Sequence, residues 1–240
     1  ANVNDLPTAG PTVTGTPTQG QTLTADPSKI VDLDGIPSDP AAYSYQWKVS
    51  SDGTTWSNIS GAVGSTFTLT QDQVGKQVKV VVSYTDNYNT KETVESQPTS
   101  AIANVNDLPT AGPTVTGTPT QGQTLTADPS KIVDLDGIPS DPAAYSYQWK
   151  VSSDGTTWSN ISGAVGSTFT LTQDQVGKQV KVVVSYTDNY NTKETVESQP
   201  TSAIANVNDL PTAGPTITGT PTQGQTLTAD PTTIRALDGI

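Results

Sequence analysis

Apolar and polar residues alternate in short runs along the chain, and this period of two predicts β-strands. The clearest run is Tyr43–Val49, in which aromatic and aliphatic residues alternate with Ser, Gln and Lys. Val78–Tyr84 alternates in the same way and predicts a second inward-facing apolar row. Shorter or weaker runs predict the remaining strands, at Thr12–Thr14, Gln21–Ala25, Thr66–Thr70 and Lys91–Ala101, with an edge segment around Trp56 and Ile59.

Turn-forming residues separate these runs at regular spacing. Asp52-Gly53 and Asp86–Asn89 are turn signals, and Gln71–Gly75 predicts a single helical turn that ends at glycine. Residues 26–40 have no periodicity and predict a long loop, which in a compact domain is usually functional or ordered by a ligand. About seven short strands separated in this way predict an all-β fold, an antiparallel β-sandwich, for residues 1–102.

The chain repeats itself with a period of 102 residues. Residues 1–102 recur without change as residues 103–204, and a third copy begins at Ala205 and stops at Ile240. This period is too long for a solenoid unit and suits an autonomous small domain. The sequence therefore predicts tandem domains: repeat 1 at 1–102, repeat 2 at 103–204, and the N-terminal third of an incomplete repeat 3 at 205–240. The replacements in this third copy include those of Val115, Val133 and Asp134 by Ile217, Arg235 and Ala236.

Composition removes several classes of partner and chemistry. The chain has 23 acidic and 11 basic residues, a formal net charge of −12, and no Cys, His or Met. An acidic chain of this kind is a poor ligand for nucleic acid or for an anionic membrane surface. The absence of Cys excludes disulfides and thiolate nucleophiles, and the absence of His removes the usual general base. The carboxylates are oxygen ligands suited to hard cations.

Four motifs in order along the repeat resemble an immunoglobulin-like domain: Tyr45-Gln46-Trp47, Phe67–Thr70, Asp72–Lys76 and Val78-Lys79-Val80. The resemblance implies a core Trp47 on the third strand and departs from antibody domains in lacking the disulfide. Three further motifs resemble the extender repeats of giant calcium-dependent bacterial adhesins of the RTX type. They are Asn104–Pro109, which we call the first joint, with Asp134–Gly137 and Ser185–Asp188, and the joint also resembles the calcium-binding linkers of cadherins.

This resemblance implies a Ca²⁺ site at each joint. In an immunoglobulin-like sandwich, loops of one repeat and the turn before the sixth strand of the preceding repeat would converge there. The ligands implied at the first joint are Asp72, Asn104, Asn106, Asp107, Asp134, Asp136 and Asp188. Their equivalents in the other copies are Asn4, Asp5, Asp32, Asp34, Asp86, Asp174, Asn208, Asp209 and Asp238. The alternative is that these are ordinary turn residues, because Asp, Asn and Gly favour turns for backbone reasons alone.

Two other constellations have alternative interpretations. The aromatic residues of Tyr43–Trp47, together with Trp56, could form a sugar-stacking platform, but three of the four share one strand face and are expected in the core. Carboxylate pairs such as Asp32 with Asp34, or Glu92 with Glu95, could suggest a glycosidase, which needs a cleft between the two groups. A sandwich copied without change offers no evident cleft, so we expect no enzymatic activity.

The expected function is that of an extracellular spacer in a large bacterial surface adhesin, stiffened by Ca²⁺ at the joints. We expect a monomeric string whose partners are its own neighbouring repeats, with strand-edge contacts through residues 205–240, no nucleic acid and no membrane insertion. One alternative is a subunit of a surface filament or surface layer that polymerises by strand exchange. Another is a carbohydrate-binding accessory module, which would need Trp56 and Tyr88 to be exposed.

Overall fold

Repeat 1 folds into two antiparallel sheets in the computed structural model, which describes residues 3–236 of the chain. The sheet orders are β1-β2-β5 and β4-β3-β6-β7, and short 3-10 helices lie at Pro27–Lys29, Pro40–Ala42 and Gln71–Gln73. The strands are β1 at Thr12–Thr14, β2 at Thr22–Asp26, β3 at Ser44–Ser50, β4 at Ser57–Asn58, β5 at Thr66–Thr68, β6 at Gln77–Thr85 and β7 at Lys91–Glu95.

The pair β3 and β6 forms the centre of the larger sheet. Its register places Trp47 opposite Val80 and Tyr45 opposite Val82. Because side chains alternate between the faces of a strand, this register brings the apolar residues of both strands to one face. The hydrophobic alternation of the sequence therefore faces the core.

Trp47 is the largest fully buried side chain of repeat 1. Its indole N–H donates to the carbonyl oxygen of Gly64 at 3.0 Å, and its ring centroid lies 5.8 Å from that of Phe67 in the other sheet. The hydrogen bond removes the cost of burying a polar N–H, so the whole ring contributes apolar area to the core. The residues packed around it include Leu23, Leu69, Val78, Val80, Val82 and Ile102.

The same architecture recurs in repeat 2, with sheet orders β8-β9-β12 and β11-β10-β13-β14. The chain divides into two compact units, residues 1–106 and 107–240, and one hydrophobic core lies in each. The strands are β8 at Thr114–Thr116, β9 at Thr124–Asp128, β10 at Ser146–Ser152, β11 at Ser159–Asn160, β12 at Thr168–Thr170, β13 at Gln179–Thr187 and β14 at Lys193–Glu197. The 3-10 helices of this repeat lie at Pro129–Lys131, Pro142–Ala144 and Gln173–Gln175.

The predicted fold class, tandem immunoglobulin-like β-sandwiches of about seven strands, is confirmed. The predicted last strand is longer than the observed one, because β7 ends at Glu95 and Pro98 follows soon after it. Beyond β7 the chain is held by other bonds, including one from the Val78 N–H to the Thr99 hydroxyl at 3.1 Å. The domain limits at residues 102 and 204 stay a prediction from the repeat.

The described part of the third copy, residues 205–236, forms a hairpin of β15 at Thr216–Thr218 and β16 at Thr228–Asp230, followed by a 3-10 helix at Pro231–Thr233. Ile217 pairs with Ala229, as Val13 pairs with Ala25 in repeat 1. The apolar face of this hairpin is open, because Ile217 is 70% exposed and Leu227 50% exposed. The helices of the described residues are all short 3-10 turns, and none of them could cross a membrane.

Candidate metal site

The loop between β2 and β3 folds its two aspartates into a tight turn. The N–H of Asp34 donates to Oδ1 of Asp32 at 2.9 Å, and the N–H of Gly35 donates to the Asp32 carbonyl oxygen at 3.1 Å. Gly35 has φ +87°, and a Cβ at this position would lie 2.1 Å from the side-chain nitrogen of Asn87. Glycine is therefore required both by the backbone and by the close approach of the turn after β6.

The second oxygen of Asp32 is bound by a buried tyrosine. The hydroxyl of Tyr84 donates to Oδ2 of Asp32 at 2.7 Å, and in repeat 2 Tyr186 donates to Asp134 at 2.6 Å. Burial raises the pKa of Tyr84, and the hydrogen bond to Asp32 and the charges of Asp32 and Glu92 raise it further. Both effects favour the neutral phenol, which is the form that donates to Asp32.

The segment that begins each repeat is held by the second aspartate of the turn. Asp34 is 4% exposed, and its Oδ2 accepts the N–H of Asp5 at 2.8 Å. In repeat 2 the N–H of Asp107 donates to Oδ2 of Asp136 at 2.7 Å, and Asp136 is 1% exposed. A hydrogen bond to a charged acceptor is stronger than one between neutral groups, so the buried carboxylate fixes where the chain enters the repeat.

Asp86, at the end of β6, is also buried, with an exposed fraction of 6%. Its Oδ1 accepts the N–H groups of Tyr88 and Thr90 at 2.8 and 2.7 Å, which shapes the turn to β7. Its Oδ2 is buried and has no hydrogen-bond partner, and Oδ2 of Asp188 in repeat 2 is in the same condition. A buried carboxylate oxygen without a partner is costly, which is typical of a place where an ion or a water binds.

Glu92 is a further buried carboxylate of this region, and it was not among the predicted ligands. It is 5% exposed on β7, opposite Tyr84 on β6, and its Oε1 accepts the side-chain N–H of Asn4 at 2.8 Å. The sequence does carry a signal for Glu92: it lies two residues from Val94 on β7, so the two side chains share the inward face, and Val94 packs against the core. We call Asp5, Asp32, Asp34, Asp86 and Glu92 the acidic pole of repeat 1; the acidic pole of repeat 2 is Asp107, Asp134, Asp136, Asp188 and Glu194.

Each joint segment also contacts a glutamine of the repeat before it, and this contact was not predicted. In unit 1, the Val105 N–H donates to Oε1 of Gln19 at 3.1 Å. In unit 2, the Val207 N–H donates to Oε1 of Gln121 at 3.1 Å, and the Gln121 amide donates to Oδ2 of Asp209 at 2.7 Å. The sequence carries no local signal for this role, because Gln121 lies in a Thr- and Gly-rich turn far from Asp209 along the chain.

The remaining predicted ligands are not members of the acidic poles as defined above. Asp72 and Asp174 are exposed in 3-10 helices that precede β6 and β13. Asp72 and Asp86 lie at opposite ends of β6, whose nine residues span roughly 30 Å at ~3.3 Å each. Asn104 is half-buried with a buried, unpartnered Oδ1, whereas Asn106 and Asn208 are exposed. Asp238 lies outside the described residues.

The chemistry of the acidic pole fits a hard cation. The atoms that could bind a metal are all oxygens, and one buried carboxylate in each repeat has an unpartnered Oδ2. Within residues 3–236, no group of three or more acidic side chains is already arranged to hold a metal ion. Binding would therefore require side-chain movement within the pole.

Comparison with known proteins adds no family to this picture. No family model matches the chain, and no curated protein matches it.

Proposed function

We propose that this chain is a structural spacer of an extracellular bacterial surface adhesin, similar to the extender repeats of RTX-type adhesins. In this proposal Ca²⁺ at the joints stiffens the array and holds a distal binding domain away from the cell surface. The observation that carries the proposal is the attachment of the first segment of each repeat to a buried aspartate, Asp34 or Asp136. Because this hydrogen bond connects the backbone of the joint to the acidic pole, an ion bound at the pole would also act on the backbone of the joint.

The carboxylates proposed to meet at a joint carry like charges. Two like charges 4 Å apart repel by roughly 4 kcal/mol near a protein surface, so a group of carboxylates favours an added cation. Ca²⁺ takes six to eight oxygen ligands, which carboxylates, Asn side chains and backbone carbonyls supply. The proposed ligands at the first joint are Asp107, Asp134, Asp136 and Asp188, completed by Asn104, Asn106 and Asp72. Without Ca²⁺ the joint is expected to bend more freely.

Scanning calorimetry with Ca²⁺ and with a chelator tests the proposal. We expect a higher melting temperature in Ca²⁺, because a ligand that binds only the folded state stabilises it by mass action. The double variant Asp34→Asn, Asp136→Asn should lose most of this increment. The matched control Asp39→Asn, Asp141→Asn changes exposed carboxylates that only accept the N–H of Ala41 or Ala143. Equal melting temperatures of the unaltered chain in Ca²⁺ and in chelator would remove the ion from the proposal.

Small-angle scattering tests the spacer role itself. A stiffened joint should give a narrower distribution of interatomic distances in Ca²⁺ than in chelator. A distribution that does not change, in a protein whose melting temperature does, would mean that Ca²⁺ stabilises the repeats without stiffening the array.

A second candidate is a filament or surface-layer subunit that polymerises through residues 205–240. The open face of the β15–β16 hairpin, with Ile217 and Leu227 exposed, favours it. An unpaired strand edge beside exposed apolar residues is a template for pairing with another chain. The variant Ile217→Thr, Leu227→Thr should then reduce self-association in sedimentation velocity. A chain that is monomeric at all concentrations would exclude this candidate.

The carbohydrate-binding alternative gains less support. Lys79 Nζ lies 4.4 Å from the ring centroid of Trp56, so one face of that ring is already covered by a cation. Tyr88 is 62% exposed, as a sugar platform requires, but it is carried on the turn after β6. Glycan binding that is lost in Tyr88→Ala would establish this function.

A further inference from the structure

Glu92 and Glu194 occupy positions where a carboxylate is expensive. Each is about 95% buried, at 5% and 6% exposure, on the inward face of the last strand of its sheet. The neighbouring outward carboxylates, Glu95 and Glu197, are exposed instead and pair with lysines. Moving a charge out of water costs free energy unless a partner of opposite charge or several hydrogen bonds replace the water. The side-chain N–H of Asn4 offsets part of this cost at Glu92, and a bound cation would offset more of it.

The pairing of β6 with β7 brings Glu92 and Asp86 to the same end of the larger sheet. Glu92 lies directly opposite Tyr84, and Asp86 comes directly after β6, two residues beyond Tyr84, where its N–H donates to the Thr90 carbonyl oxygen at 2.9 Å and continues the pairing. Residues related in this diagonal way across an antiparallel pair have Cβ atoms about 7–8 Å apart or less. Two carboxylates at that separation can each place one oxygen on a single ion at the 2.3–2.6 Å distances typical of Ca²⁺.

Two further contacts connect Glu92 to the rest of the acidic pole. Asn4, in the segment that begins the repeat, donates to Oε1 of Glu92 at 2.8 Å. Tyr84, directly opposite Glu92 in the strand pairing, donates to Asp32 at 2.7 Å. Residues from the first segment, the loop before β3, and both β6 and β7 are thus connected by contacts inside a single repeat.

We propose that each complete repeat binds a divalent oxygen-seeking cation, with Ca²⁺ as its representative, inside its own acidic pole, and that Glu92 and Glu194 are direct ligands. Asp86 and Asp188 supply the second ligand through their unpartnered Oδ2 atoms. This site needs no residue from a preceding repeat. The inference rests on the proposed function, since it names a ligand of the same pole, but it assigns the ion to the interior of a repeat.

The test uses the full chain and compares two double variants on the same strands. Glu92→Gln, Glu194→Gln removes both buried charges and keeps the side-chain shape, whereas Glu95→Gln, Glu197→Gln changes the exposed neighbours. Ca²⁺ affinity is measured by titration calorimetry, and Tb³⁺ luminescence excited through tyrosine reports an ion near Tyr84 and Tyr186. We expect the buried pair to lose at least about tenfold in affinity and most of the sensitised luminescence, and the exposed pair to lose neither.

Melting in chelator provides a second readout. With the ion absent, the buried variant should melt at the same or a higher temperature than the unaltered chain, because a buried charge has been removed. Loss of Ca²⁺ affinity together with retained stability in chelator supports a ligand role.

The outcomes separate this inference from the proposed function. If the unaltered chain binds Ca²⁺ and Glu92→Gln, Glu194→Gln binds it equally well, the inference is overturned and a site at the joints remains. If Asp72→Asn, Asp174→Asn loses affinity while the buried glutamate variant does not, the ion is held between repeats, and the inference is again overturned. If the unaltered chain binds neither Ca²⁺ nor Tb³⁺, both proposals fail.

Discussion

The hydroxyl group of Tyr84 is the clearest test of the acidic pole at the scale of one residue. Tyr84→Phe, Tyr186→Phe removes the hydrogen bond to Asp32 and to Asp134 and leaves both rings in place. A hydrogen bond to a charged group contributes about 1.5–3 kcal/mol, so each repeat should lose roughly that amount in chelator. Urea denaturation, followed by tryptophan fluorescence, measures the loss as a lower midpoint.

The matched control for this prediction is Tyr88→Phe, Tyr190→Phe. Both rings are exposed, and their hydroxyls make none of the contacts that define the pole. We expect the control to unfold at the midpoint of the unaltered chain. Equal midpoints for the two double variants would mean that the bond between Tyr84 and Asp32 contributes nothing to stability.

Gly35 gives a second prediction at this scale, because it combines a positive φ with a close contact. Gly35→Ala strains the backbone and also places a Cβ within 2.1 Å of the Asn87 side chain, which must move. Gly61→Ala is the control, since its φ of +72° is similar but nothing lies within 4 Å of the added Cβ. Both should be destabilised by more than about 1 kcal/mol, and Gly35→Ala by more than its control. Equal losses in urea denaturation would show that Asn87 moves at no cost.

At the scale of elements, the turn after β3 depends on one exposed carboxylate. The N–H groups of Thr55 and Thr54 donate to Oδ1 of Asp52 at 2.7 and 2.8 Å, and the Ser50 hydroxyl donates to the same atom. These bonds hold the pKa of Asp52 well below its ordinary value of 3.8, with the Thr55 bond as the largest cause. The turn is therefore stabilised by the ionised form.

The sign of the pH dependence follows from the lowered pKa. As the pH falls, Asp52 is protonated at a higher pH in the unfolded chain than in the folded chain. The stabilisation is therefore complete above about pH 3.8 and is lost as the pH falls below it. Asp52→Asn, Asp154→Asn should flatten the stability curve below pH 4, measured as the urea midpoint against pH. A variant whose midpoint falls as steeply in acid as that of the unaltered chain would contradict this role.

The elements differ in how far the sequence alone could predict them. Strands β3 and β6 were predictable, because each alternates over seven or more residues and buries one face. The end of β7 was not, because Thr99 and Ile102 continue the strand-like composition beyond Glu95, where isolated backbone bonds to β6 and a side-chain bond at Thr99 follow the regular ladder. Asp34 and Asp136 were predictable from the Asp-x-Asp-Gly turn. Glu92 required the pairing of β6 with β7, and Gln121 required a long-range contact, so neither could be found locally.

At the scale of the whole molecule, identical repeats with separate cores should unfold as separate units. In chelator, the calorimetric enthalpy should be about twice the van't Hoff enthalpy, because two similar domains melt together. Trp149→Ala should divide this transition in two, since emptying a buried tryptophan site costs about 3–5 kcal/mol and acts on one core. The melting temperature of that repeat should fall by well over 10 °C.

Trp47→Ala provides the mirror image of this experiment. The two tryptophans are equally buried and hold equivalent positions in their cores, so the variants should give similar divided transitions. A single transition shifted as a whole in either variant would show that the repeats unfold cooperatively.

The pairing of Leu23 with Phe67 has a consequence for biosynthesis. Phe67 of β5 pairs with Leu23 of β2, but β9 has the same sequence as β2, with Leu125 at the equivalent position. The sequence alone therefore does not determine whether β5 pairs with β2 or with β9 during folding. A ribosome adds ~5–20 residues per second, so repeat 1 is complete for roughly 5–20 s before repeat 2 has emerged. Chains diluted from urea lack that interval, and their yield of native fluorescence should fall below that of freshly translated chains. The direction of synthesis thus supplies the pairing information that identical copies cannot encode.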